Sequence, residues 1–437
     1  MTFDLPDTDL EPALDALATE LVGILGTRGV NTTAAARHKV SVDQAGMSPV
    51  IAGRPPRAFA DIVVFPTTVE EVRSVVRIAV RERVPLVARG KGTGNYGQVL
   101  PALGGIVVDL TRLKTIEPVG DGVITAQPGA RMMDLETRAH GSDQELWIYP
   151  STVHSTIGGF LAGGSAGTGT VANGNTRQGF VVALDVVHAT DDADLVHVEG
   201  DATLPYLHSF GVTGIIVGAT VRLAPRHEWR PLYASFDTLS NAAETLRMIG
   251  EILPAPRLCS VDDAALAATL PADEALFEGR ASLRVLAHGD TVEAISALVE
   301  VNGGRIDAVR EGPKEILKMS LISYNHPTWW LMRSAPGSYF HLEIFGDGII
   351  DRAEEITASL PGGRLHLELG HSFNFGMINA EYTSESDVPA AMQVLTDLGI
   401  PAHNNHEWFI DQRGAELQAV AALTDPYGLL NPGKFSE

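Results

Sequence analysis

Four glycines in ten residues, RGKGTGNYGQ at positions 89–98, follow directly on the apolar run VPLVA and constrain the fold more than any other feature of this chain. Gly92, Gly94 and Gly97 spell G-x-G-x-x-G, and a strand that feeds such a loop is a means of holding dinucleotide phosphates. In a Rossmann unit a helix starts at the loop and takes the pyrophosphate on its N-terminus, with an acid about 20 residues on for the ribose. That context is missing here. QVLPALGG puts a proline and two glycines where the helix should run, IVVDL then reads as strand, and Asp109 comes too early for the ribose acid. A glycine loop without its helix can still bind phosphate by turning successive N–H groups inward, because glycine tolerates positive φ and close approach.

The surroundings read as a sheet. DIVVFP is a β-branched strand, and TTVEEVRSVVRIAVRE places Val69, Val72, Val75, Val76 and Ala79 on one helical face. Thr67 with Glu70, or Thr68 with Glu71, can cap that helix. GIVVDL, VITAQPG and ELWIYPS follow as short strands, FVVALDVVHA and LVHVEG as a hairpin about Asp191–Asp194, and GIIVGATVRLAP as a closing strand. A second glycine tract, STIGGFLAGGSAGTGTVANGNTRQG at 155–179, lies between them. Both tracts could be tight sheet turns. Two such tracts together suit an extended cofactor such as FAD, one loop holding the pyrophosphate and the other running along the ribityl and ring portion.

A chain of 437 residues predicts two domains. Its net charge of −22, from 54 acidic against 32 basic residues, repels nucleic acid and anionic membrane surfaces. The single cysteine, Cys259, removes disulfide frameworks, multi-cysteine zinc sites and cysteine-ligated iron–sulfur clusters. The acidic start MTFDLPDTDLEPALDAL lacks a basic, then apolar, leader, and no run approaches about 18 apolar residues, so a cytoplasmic protein with no membrane span is expected.

PTTVEEVRSVVRIAVRERVPLVARGKGTGNYGQ, VVDLTRLKTIEPV, QPGA, STIGG, NTRQG, VTGIIVGATVRLAP and DPYGLLNPGKF occur in the order seen in the vanillyl-alcohol oxidase/p-cresol methylhydroxylase family of FAD-dependent oxidoreductases, which this chain resembles over about residues 55–225 and the C-terminal tail. The resemblance implies an α+β fold: a two-subdomain FAD-binding domain of the p-cresol methylhydroxylase (PCMH) type over 1–225, an inserted α+β substrate cap over 226–400, and a segment at 401–437 that returns to the FAD domain. It implies that Arg89, Gly90, Lys91, Gly92, Thr93, Gly94 and Asn95 wrap the diphosphate, with Tyr96 beside them. Pro150, Ser151, Ser155, Thr156, Gly158 and Gly159 would pass close to the cofactor, Val212, Gly214 and Ile215 would lie on its adenine half, and Asn431 and Lys434 would return near the flavin ring. Many relatives carry a flavin-linking histidine in the first loop. Here Asn95 and Tyr96 stand there and Cys259 lies outside the second tract, so non-covalent FAD is expected.

Taking a hydride from an alcohol requires a base for the hydroxyl proton and a group that anchors the substrate. NHPTWWLMR at 325–333 offers His326 as base and Arg333 as anion clamp, although a core element carrying a tryptophan pair reads equally well. HLELGHSFNFGMINAEY alternates Leu365, Leu367 and Leu369 with His366, Glu368 and Gly370, which puts the polar side chains on one face of a strand, and it adds His371. Gly370–Gly376 weakly resembles the G-H-x-G-D-G-N segment of family members acting on D-2-hydroxy acids, without its Gly-Asp pair and with Ile378 where a second histidine would stand. HNNHEW adds His403, His406 and Glu407. These have zinc or manganese donor chemistry, but Pro401 and two asparagines favour a turn, and no metal is assigned.

His326, Arg333, His371, His406 and Glu407 are therefore the candidate catalytic residues. The expected function is an FAD-dependent oxidase or dehydrogenase acting on a D-2-hydroxy acid or a phenolic alcohol. A flavin-dependent cyclising or lyase-type enzyme and a non-catalytic FAD module are the alternatives, and a homo-oligomer is compatible with the sequence. The last 37 residues read as turn and loop.

Overall fold

The computed structural model describes residues 12–52 and 59–435, so most of the acidic N-terminal stretch lies outside the described residues. Strand Ile62–Val64, helix Val69–Glu82 and strand Leu86–Arg89 form where the periodicity places them, and strand Ile106–Asp109 runs between the two strands and parallel to both. The helix starts in the second of the two possible capping boxes. Glu71 N donates to Thr68 Oγ1 at 3.1 Å while the Glu71 carboxylate takes the Thr68 N–H at 3.3 Å, a cap worth about 1 kcal/mol. Val72, Val75, Val76 and Ala79 are buried against Ile62, Val64, Leu86, Ile106 and Val108.

A second, antiparallel sheet is organised by the long strand Ile215–Pro225, which pairs with Val123–Ala126, Gln144–Leu146 and Val181–Val187; the last of these forms the expected hairpin with Leu195–Glu199. The second glycine tract is not all loop. Ile157–Gly163 and Thr170–Asn173 are short helices, and Met132–His140 is a helix among what reads in sequence as strands.

Residues 229–403 build an eight-stranded sheet in which every pair is antiparallel. Its edge strand, Ala402–His403, falls just past residue 400. Period-2 alternation sorts its faces. Cys259, Val261, Leu283, Val285, Leu342, Ile344, Leu365, Leu367 and Ile378 pack in one core with apolar residues of helices Leu239–Ile249, Val292–Val301, Ala353–Ser359 and Asp387–Asp397. Ser260, Asp262, Arg284, His341, His366 and Glu368 occupy the opposite face and are all buried. On this face His341 meets Tyr96 of the first glycine loop.

After the eight-stranded sheet the chain returns. Leu86 N donates to Leu429 O and Asn431 N to Leu86 O, both at 2.7 Å, so the tail pairs alongside the strand that leads into the loop. Contrary to the turn-and-loop reading, Gly414–Thr424 is a helix. GAELQAVAALT is rich in good helix formers but carries no clean apolar stripe: Leu417 is buried while Leu423 is 79% exposed. No helix among the described residues is long and apolar enough to cross a membrane.

Candidate active site

The first loop leaves strand Leu86–Arg89 and is held against the second tract by Thr93 Oγ1 and Ser155 Oγ, 2.8 Å apart. Its glycines are required by position. A Cβ on Gly90 would overlap Thr156 Oγ1, and Gly92 has φ +62 with a Cβ position occupied by the Arg89 guanidinium. Arg89 is 8% exposed. Its Nη2 donates to Val42 O at 3.1 Å, whereas its Nη1 is buried with no partner. A buried guanidinium with an unsatisfied donor beneath a loop that excludes side chains fits an anionic diphosphate.

Among the other expected cofactor residues, Lys91 is exposed, while Pro150, Ser151, Ser155, Thr156, Gly158, Val212, Gly214 and Ile215 are buried; Gly159 is exposed. Val212 packs on Ile410 and Leu417 of the returning tail. Asn431, with φ +43, donates through Nδ2 to Gln98 O at 2.8 Å and to Phe210 O at 2.7 Å, leaving its buried Oδ1 without a partner. Lys434 is fully buried, donates to Gly97 O at 2.7 Å, and is pulled by burial down to about 7.

A small cavity lies where the loop meets the cap, lined by Gln44, Met47, Ser48, Asn95, Tyr96, Asn325, Thr328, Trp329, Met332 and His341. Tyr96 OH is 2.9 Å from His341 Nε2, and Asn325 Nδ2 donates to the same phenolic oxygen at 3.4 Å. That arrangement directs the phenolic proton at Nε2. His341 Nδ1 and Thr328 Oγ1 are buried without partners. Burial pushes the His341 imidazole well below 6.5, so it rests neutral. His406 is buried with its ring centroid 4.4 Å from that of His341. His406 Nε2 accepts the backbone N–H of His341 at 3.1 Å, which leaves Nδ1–H to donate to Ser48 Oγ at 2.6 Å.

The sequence candidates separate. His406 belongs to this group. His326, at the start of helix His326–Ser334, stacks edge-on to Trp329, and burial pulls it down to about 4. Arg333 is exposed on the same helix, its guanidinium 5.1 Å over the Trp329 ring and outside the cavity lining. His371 is exposed, with Nδ1 3.0 Å from Val171 O. Glu407 lines a surface groove with Met392 and Gln393. His403, 2.5 Å from Asp411, is raised to about 10 by that carboxylate.

His371, His403 and His406 thus form no metal cluster. The described residues that do bring three such ligand atoms together, Glu136, His140 and Glu145, already enclose the Arg257 guanidinium. Sequence reading missed His341 and Asn325 as partners of Tyr96, and Ser48 as the partner of His406. YFHLEIF carries the same alternation as RLHLE, and that alternation was the available signal for His341; nothing local marks Ser48.

Residues 60–198 match the FAD binding domain family. Over 214 residues the chain is 30% identical to glycolate oxidase subunit GlcD of Bacillus subtilis, covering 46% of this chain and 45% of that protein. Over 349 residues it is 27% identical to the probable mitochondrial D-lactate dehydrogenase of Danio rerio, covering 74% and 67%. The chain therefore spans about half the length of the first of these relatives. In structure it superposes on an alkyldihydroxyacetonephosphate synthase with TM-score 0.76 at 16% identity, covering 100% of this chain and 88% of the other. Residues 60–198 are an FAD-binding domain of the p-cresol methylhydroxylase type, and FAD is its cofactor.

Proposed function

We propose that the protein is an FAD-dependent oxidase or dehydrogenase that oxidises a small hydroxy compound, with a 2-hydroxy acid as the leading substrate class. The single observation that carries the reading is the Tyr96–His341 hydrogen bond, which joins the FAD loop to the cap sheet beside a small cavity. The relatedness to D-lactate dehydrogenase and glycolate oxidase subunits supports the substrate class.

Oxidising an alcohol removes a hydride from carbon and a proton from oxygen. Bound FAD supplies the two-electron acceptor. Tyr96 takes the hydroxyl proton as its own passes to His341 Nε2, and the Asn325 amide N–H steadies the phenolic oxygen. A neutral imidazole is needed for this step, and the burial of His341 keeps it neutral. The charge that arrives on His341 must not face a second cation. His406 meets that requirement because its Nε2 is engaged as an acceptor and cannot hold a proton without breaking its bond to the His341 backbone. Trp329, Met332 and Met47 keep the cavity wall largely apolar and limit water.

The test is anaerobic reduction of the bound flavin by D-lactate, L-lactate, glycolate, 2-hydroxybutyrate and benzyl alcohol. At least one hydroxy acid should bleach the flavin. Tyr96→Phe and His341→Gln should each slow that step by about 10²-fold or more with FAD still bound. Parental rates in both variants would remove this proton path, and reduction by benzyl alcohol alone would replace the substrate class.

A further inference from the structure

Two segments far apart in sequence converge on one residue of the first glycine loop. Gly97 N donates to Asp43 Oδ2 at 3.0 Å, and Gly97 O accepts from Lys434 Nζ at 2.7 Å. Asp43 comes from a segment before the FAD-binding domain, and Lys434 from the tail that returns after the cap. The same upstream segment grips the loop at further points. Gln44 N donates to Gly94 O at 3.0 Å, and Val42 O accepts from Arg89. Its far end reaches the cap: Ser48 bonds His406, and Val50 is buried in the apolar core of the eight-stranded sheet.

Gly97 has φ +81, and the Trp408 side chain packs against the position a Cβ would take. Its conformation is therefore set by its partners and not by a side chain of its own. The Gly97 N–H belongs to the peptide shared with Tyr96 and the Gly97 C=O to the peptide shared with Gln98, so a carboxylate on the first and the Lys434 amine on the second hold the two planes on either side of the Gly97 Cα and fix its φ and ψ. Tyr96 shares the first of these peptides, and Gly92 and Gly94 lie just upstream, so the clamp sits at the point from which both are aimed.

We propose that Asp43 and Lys434 form a two-sided clamp on Gly97 that positions the first glycine loop, holding it in shape for FAD and aiming Tyr96 at His341. The inference rests on the FAD assignment and, for Tyr96, on the proton path above. Asp43 and Lys434 are positioning residues in it, acting through the two peptides that flank the Gly97 Cα. Burial of Lys434 supports the geometry: it is pulled down by desolvation, with Asp43 as the one charge that opposes this.

The experiment uses the full-length, FAD-loaded protein. Release of FAD after dilution is followed by flavin fluorescence, and hydrogen exchange is measured by mass spectrometry on peptides spanning 90–98. Asp43→Ala and Lys434→Met are each expected to speed FAD release at least tenfold and to accelerate exchange in that peptide, at temperatures well below unfolding. The double variant should release FAD no faster than about twice the worse single variant, because both act on the backbone of one residue. If either single variant does not fold, Asp43→Asn, which keeps one acceptor, takes its place. FAD release within twofold of the parent together with unchanged exchange in Asp43→Ala overturns the clamp. A parental protein that holds no FAD at all overturns the cofactor assignment instead, so the two failures are distinguishable.

Discussion

Replacing Arg257 with methionine should unfasten the cap from the FAD-binding half through a charge imbalance that pH can tune. Arg257 is 3% exposed, bonds Glu136 Oε1 at 2.8 Å and Leu146 O at 2.9 Å, and lies 3.3 Å from Glu145 Oε2. Its carbonyl takes the Gly169 N–H at 2.7 Å, and its guanidinium stands 5.0 Å over the Tyr149 ring. Methionine keeps the length and packing but removes the cation between two buried carboxylates. His140, 3.2 Å from Glu136, can answer for one of them. Glu145 is then left buried, charged and unpaired, and its relief is to take up a proton. At pH 7, two and a half units above the ordinary carboxyl value of 4.5, that costs about 3.4 kcal/mol, within the range of about 3–5 kcal/mol for breaking a buried pair. At pH 5 the same protonation costs about 0.7 kcal/mol. The penalty relative to the parent should therefore shrink by about 2.7 kcal/mol from pH 7 to pH 5. Urea unfolding followed by tryptophan emission reads it directly, because Trp229 Nε1 donates to Glu145 Oε2 at 2.9 Å. Adding Glu145→Gln to the variant should restore most of the loss at pH 7. A penalty under about 1 kcal/mol at pH 7, or one that is the same at both pH values, would refute the reasoning.

Gly90→Ala should cut the FAD content of the purified protein at least tenfold, read as the ratio of flavin to protein absorbance, because its Cβ overlaps Thr156 Oγ1; Gly23→Ala, whose Cβ meets nothing within 4 Å, should leave it unchanged. His366, buried between Asp262 at 2.5 Å and Glu368 at 3.0 Å, is raised to about 9. Since its folded value lies above the ordinary 6.5, the stability it contributes, about 3 kcal/mol, is complete below pH 6.5 and lost as pH rises through 9. Urea midpoints should fall across that window in the parent and stay flatter in His366→Gln. Cys259 is fully buried, and burial holds its thiol well above the usual range, so a thiol reagent should find no reactive group in the native protein and one after denaturation.

Where neighbouring residues impose the conformation, the sequence was readable. Thr68 and Glu71 cap a helix because the reciprocal bonds need only three residues of spacing, and Val72, Val75 and Val76 face one side because the helix repeats every 3.6 residues. Gly90 and Gly92 declared a place where no side chain fits, which led to the FAD loop. Alternation in RLHLE put His366 and Glu368 on one face, and they are buried there together. The local signal failed at GAELQAVAALT, whose helix lacks an apolar stripe, and in the second glycine tract, where Ile157–Gly163 is helical in spite of its glycines.

The site itself was decided elsewhere. Ser48, Tyr96, Asn325, His341 and His406 come from five separate stretches of the chain, and no periodicity relates them. His341 faces Tyr96 only because its strand pairs antiparallel with Phe375–Glu381 in one register, and a shift of one residue would turn it into the apolar core. Arg333 has the right chemistry for an anion clamp, yet its helix turns it outward over Trp329. Sequence alone thus determined which segments could be strand, helix or phosphate loop, because those choices rest on contacts a few residues apart. Which imidazole meets the tyrosine, and which cation lies buried, was decided only by tertiary structure, because those contacts join residues hundreds of positions apart whose approach depends on the packing of whole sheets.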